Sequence, residues 1–99
     1  MKVTVCELPN NWTESDTYWN GLIHHLETKK SDLLVLPEMP FFKWITKSNA
    51  VDPQLWHKAV KEHDKWIDRL YELPVEMTIA SRPIIENSKH LNRGFIFTR

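Results

Sequence analysis

The chain has 99 residues, 41% of them hydrophobic and 26% charged, which suits one globular domain with a single core and leaves no room for two. Thirteen Lys and Arg against thirteen Asp and Glu give a formal net charge of zero, so neither nucleic acid nor an anionic membrane is an expected partner. The single cysteine, Cys6, cannot form an internal disulfide, and no Cys/His cluster replaces one; this excludes a stapled secreted domain and points to a reducing cytoplasm.

The first residues, Met1 to Cys6, show neither the basic and long apolar segments nor the cleavage site of a signal peptide. Lys2 to Leu8 alternates Val3 and Val5 with Lys2, Thr4 and Cys6 and stops at Pro9, which predicts a first strand. From Thr13 or Ser15, both good N-caps, to about Lys30, the residues Trp19, Leu22, Ile23 and Leu26 recur at helical spacing. Lys29 and Lys30 suit the negative end of that helix, and Ser31-Asp32 breaks the pattern.

Leu33 to Leu36 is continuously apolar, as in a parallel strand covered on both faces, and Pro37 ends it. Asp52-Pro53 predicts the start of a second helix, carried by Leu55, Trp56, Ala59, Val60, Ile67 and Leu70 and ending before Pro74. Val75 to Ser81 and Leu91 to Thr98 are expected as an antiparallel pair of strands, joined by the polar stretch Glu86 to His90. The longest apolar runs, Leu33–Pro37 and Met39–Phe42, fall far short of the ~20 residues a spanning helix needs. The order β-α-β-α-β-β predicts an α/β layer with a parallel core, an antiparallel addition, and one side of the sheet uncovered.

In open α/β sheets ligands bind beyond the carboxyl ends of the strands, and Glu38 stands there, two residues after the last apolar position of the second strand. Flanked by Pro37, Met39, Pro40, Phe41 and Phe42, its carboxylate would be partly desolvated, which suits a general base; the plainer alternative is a solvated loop residue. Phe41, Phe42 and Trp44 could wall a substrate pocket, although apolar residues after a buried strand more often cover the sheet edge. Trp19, Trp56 and Trp66 suit core or oligomer contacts better than a ligand platform. His24 and His25 point about 100° apart on a helix and His57 and His63 do not share a face, so no metal site is expected from them or from His90, all five read as solvated or half-buried. With Gly21 and Gly94 the only glycines, no phosphate cradle and no cofactor are indicated.

Lys2-Val3-Thr4-Val5, the following helix, Ser31-Asp32-Leu33-Leu34-Val35-Leu36-Pro37-Glu38 and the later Leu91-Asn92 strand together resemble the nitrilase superfamily of carbon-nitrogen hydrolases in order and spacing. Asp, four apolar residues, Pro and Glu after an amphipathic helix is the most specific piece, and the pieces span nearly all of the chain. The resemblance implies the N-terminal part of an α-β-β-α sandwich, residues 1–99 forming a single truncated domain. It also implies a Glu-Lys-Cys triad in which cysteine attacks a nitrile or amide carbon, lysine stabilises the developing charge, and Glu38 is the general base.

The family's lysine and cysteine lie on later segments and have no match here, so the chain is expected to be inactive alone. Cys6, in a predicted buried strand, reads as packing, and Lys43 and Lys47 as solvated loop residues. The implied partners are a small amide or nitrile substrate once the site is complete, and either a second copy or the missing half of the domain. The alternative from another class is a small binding module of thioredoxin-like element order, without catalysis because Cys-x-x-Cys is absent. A sheet-edge pocket around Glu38 would favour the hydrolase, and full solvent exposure the module. A third option is a degenerate homologue that serves as a regulatory subunit of a complete enzyme.

Overall fold

The computed structural model of the chain describes residues 1–8, 14–43 and 52–99. In chain order the elements are β1 (Val3–Val5), α1 (Ser15–Lys29), β2 (Leu33–Val35), α2 (Pro53–Ile67), a short 3₁₀ turn (Leu70–Glu72), β3 (Met77–Glu86) and β4 (Lys89–Thr98). They form a mixed α/β fold with one four-stranded sheet in the order β1-β2-β3-β4. The first three strands are parallel and β4 is antiparallel to β3.

Both crossovers move the chain the same way along the sheet, so right-handed connections place α1 and α2 on the same face. Against that face lie Trp19, Leu22 and Leu26 of α1, Trp66 of α2, Leu34 and Leu36, and Ala80 of β3, with Phe95 and Phe97 of β4 packed onto the cluster. Among the described residues no helix covers the opposite face. Its two registered rows are Val3, Leu33, Met77 and Thr98, then Val5, Val35, Ile79 and Ile96. Val5 is 73% exposed and Ile96 63%. The continuous apolar run 33–36 is therefore covered on one face only, contrary to the expectation of two: Leu34 and Leu36 are buried while Leu33 and Val35 are half-buried. The apolar run reflects side chains that suit a buried strand, but among the described residues the helices lie on one face of the sheet.

Element boundaries move in ways the local chemistry explains. Glu14 is the N-cap of α1 and makes no side-chain capping bond, whereas Asp52 caps α2 by accepting from the Gln54 and Leu55 amides. Lys30 closes α1 in the left-handed region at φ 53°, its N–H on the Leu26 carbonyl. The second helix stops at Ile67, not just short of Pro74; Arg69 starts the 3₁₀ turn there, and its guanidinium pairs with Glu72 through two 3.0 Å bonds. It also stacks 4.6 Å from the Trp66 ring, and Trp19 of α1 donates its indole N–H to the same Glu72 carboxylate. This cluster ties α1 to the end of α2 and holds the Glu72 carboxyl below the usual range, first through the Arg69 hydrogen bond.

The hairpin is longer and tighter than expected. Asn87 and Ser88, at φ 52° and 63°, form a two-residue turn of the type whose central positions both need positive φ. Pairing then continues from Glu86 and Lys89 through Met77 and Thr98. Pro83 lies inside β3, which a central strand rejects, but β2 has ended at Val35, so β3 is an edge strand by that point.

Candidate functional site

β2 delivers Pro37 and Glu38 to the carboxyl end of the parallel strands, the end where α/β sheets bind ligands. After Glu38 the chain turns back through Met39, whose φ of 42° is left-handed backbone on a residue with a side chain. That conformation directs Met39, Pro40 and Phe41 inward, all three buried, and leaves Glu38 outside. Glu38 is exposed, so the desolvation expected from its apolar neighbours is not present: they pack under the turn and do not surround the carboxylate. Glu38 Oε1 accepts a hydrogen bond from Asn92 Nδ2 at 3.2 Å. Asn92 shares a face of β4 with Ile96 by strand alternation, which sets the Glu38 carboxylate at the rim of the helix-free apolar face.

Among the described residues, side chains from three elements hold the turn. Ser81 of β3 accepts the Met39 N–H at 3.0 Å. His63 of α2 accepts the Phe41 N–H on Nε2 at 3.1 Å, and its Nδ1 lies 2.8 Å from the Ala59 carbonyl, which places the ring proton on Nδ1. The third is Asn92. His63 is 0% exposed, not the solvated or half-buried residue expected, and burial is the main cause that lowers its pKa to about 4. A signal for this exists in the sequence: Trp56, Ala59, His63 and Trp66 form the buried stripe of α2, and a histidine on that stripe needs partners for both ring nitrogens. Ser81 carries no comparable pattern, and Asn92, part of the family resemblance, has no role that the sequence assigns.

The remaining candidates separate from Glu38. Phe41 is fully buried beside Trp19, Trp66 and His63, in the position of a core residue. Phe42 is half-buried at the end of the turn, while Trp44 and Lys47 lie outside the described residues. Lys43 is exposed. Cys6 follows β1, half-buried against the core, and burial together with Glu7 raises its thiol pKa, which disfavours the thiolate a nucleophile requires. Trp19, Trp56 and Trp66 are all buried. His24, His25 and His57 are exposed, and His90 is partly covered by the Trp56 ring at 5.4 Å. Among the described residues no group of three His, Cys, Asp or Glu is placed to hold a metal ion. No helix among them is long and apolar enough to cross a membrane. A hollow of about 340 Å³ lies between Cys6 and α1, reaching Tyr18 and His25, but Glu38 is not part of its wall.

The site therefore consists of one exposed carboxylate, an amide bonded to it, and a strained turn fixed from behind. It can accept a proton from a group brought to the apolar sheet face, and the cysteine among the described residues, Cys6, is not part of it. No family model, curated protein or solved structure matches the chain.

Proposed function

We propose that the chain is the N-terminal portion of a carbon-nitrogen hydrolase of the nitrilase type, and that Glu38 is the general base of its Glu-Lys-Cys triad. The observation that carries this reading is the position of Glu38: immediately beyond the carboxyl end of β2, bonded to Asn92, on the rim of an uncovered apolar sheet face. The Asp-to-Glu motif and the Leu91-Asn92 strand, far apart in sequence, meet there through that bond. A base acting on a thiol must be reachable by it, and a nitrilase-like sandwich would bring a second sheet, with the lysine and cysteine, over this face. The desolvation of Glu38 would then have to come from that second sheet, since Glu38 is exposed here.

On this reading the chain alone hydrolyses no amide or nitrile, because its own residues include no counterpart of the family's lysine and cysteine. The cytoplasm is the proposed compartment, and self-association or pairing with the remaining half is proposed for the apolar face. The exposure of Glu38 favours the second reading, a small α/β binding module without catalysis, in which the turn is only a surface feature.

The test is to read the coding sequence past the Arg99 codon in all frames and to assay the purified chain for amide hydrolysis. Lysine- and cysteine-bearing segments of the family are expected downstream, with no turnover by the chain itself. Absence of both segments, or thiol-dependent hydrolysis by the isolated chain, overturns the proposal.

A further inference from the structure

The turn that presents Glu38 lacks a strand's support, since β2 has already ended, and it contains the left-handed Met39. A conformation of that kind persists only where its surroundings over-determine it. Ser81 and Asn92 contribute one bond each, but His63 is the anchor that is both fully buried and able to change its hydrogen-bonding character. In its neutral form a single tautomer satisfies both neighbours: Nδ1–H donates to the Ala59 carbonyl and Nε2 accepts from the Phe41 amide.

We propose that His63 is a positioning residue for Glu38, a latch that fixes the Pro37–Phe42 turn through the Phe41 amide and lets the turn shift when the imidazole takes up a second proton. Its catalytic meaning rests on the reading of Glu38 as the base, whereas the latch rests on the geometry alone. A proton on Nε2 would face the Phe41 N–H, donor against donor, and would turn the ring toward an acceptor such as the neighbouring Met39 backbone. The turn would then have to exchange one hydrogen bond for another, close to Glu38.

The charges around the ring oppose each other. Arg82 of β3 disfavours the second proton, and Glu62 of α2 favours it, as do the Ala59 and Met39 backbones. Asp64 of α2 is paired with Arg82. The Phe41 ring lies 5.6 Å from the imidazole, and both residues are fully buried. Desolvation outweighs the rest and keeps the latch closed down to about pH 4.

The test follows amide hydrogen exchange and chemical shifts by NMR in the full chain, from about pH 6.5 to below about pH 4. Protection of the Phe41 amide is expected to fall about tenfold or more as His63 titrates, while the Leu34 and Thr78 amides of the sheet keep theirs. His63→Gln, whose side-chain carbonyl can accept the Phe41 N–H and does not titrate, is expected to keep Phe41 protected throughout; His63→Leu is expected to lose that protection at every pH. Should His63→Leu not fold, the wild-type pH profile and His63→Gln decide. Phe41 protection that ignores the titration of His63, or that disappears together with all sheet amides in one transition, overturns the latch. Glu38→Gln leaves all of these outcomes unchanged, so failure of the base assignment is seen separately, in an activity assay.

Discussion

His63 and Thr78 are both enclosed by the core, at 0% and 1% exposure, with opposite consequences. The Thr78 hydroxyl has no hydrogen-bond partner among the described residues. The isosteric change Thr78→Val should raise stability by about 1 kcal/mol, seen as a higher urea midpoint at unchanged slope. His63 has both nitrogens paired, and its pKa falls from 6.5 to about 4. Between those values the unfolded chain binds a proton that the folded chain refuses, so this contribution is complete above pH 6.5 and is lost as pH falls toward 4. The loss is on the order of 3 kcal/mol. Urea midpoints measured across that window should fall more steeply for the wild type than for His63→Gln. Equal slopes would show that His63 titrates alike in both states. Glu38, exposed on its turn, should tolerate Glu38→Gln with cooperative unfolding intact, because its one described bond, to Asn92, is at the surface. The strand-Pro-Glu pattern marks Glu38 in the sequence. It does not reveal that the flanking apolar residues turn away from the carboxylate, because that direction is set by the left-handed Met39 and not by composition.

The elements form where hydrophobic spacing and capping residues agree, and their ends shift where one of these is weak. Asp52-Pro53 predicts the start of α2 to the residue, since the carboxylate accepts two of the amides left free at a helix start. Asp52→Ala should cost about 1 kcal/mol in thermal or urea unfolding, whereas Glu14→Ala, with no capping bond to lose, should cost little. Arg69 and Glu72 are not legible as a stop for α2, because an i,i+3 pair of that kind also suits a continuing helix, and what fixes it here is the Trp19 indole of α1 on the same carboxylate, a tertiary contact. Arg69→Lys would keep the charge but lose the fork and the planar stack. The hairpin reads in the sequence as a pair of strands with a polar connection, and nothing in Asn87-Ser88 singles it out as the two-residue turn. Serine at φ 63° is an unfavourable occupant of that turn. Ser88→Gly should therefore stabilise the chain by about 1 kcal/mol, and an unchanged midpoint would mean the turn relaxes in solution.

For the whole molecule, element order is enough to predict a parallel core with an antiparallel addition and one uncovered side, because right-handed crossovers in one direction leave both helices on one face. What fills the other face is beyond the reach of periodicity: Val3, Val5, Met77, Ile79 and Ile96 read as strand residues whether or not a second layer exists. Under the proposed function that face and Glu38 belong together, the face being where the rest of a hydrolase would dock and Glu38 the group waiting at its rim. The most direct measurement is ammonia release from a simple amide by the chain combined with, or extended by, the segments that carry the family's lysine and cysteine. Glu38→Gln would be run alongside, with assembly of both samples checked by sedimentation. If Glu38 is the base, the assembled wild type turns over and the Glu38→Gln assembly does not. Equal turnover by the two would contradict that role, and so would a wild-type assembly that forms and does not turn over.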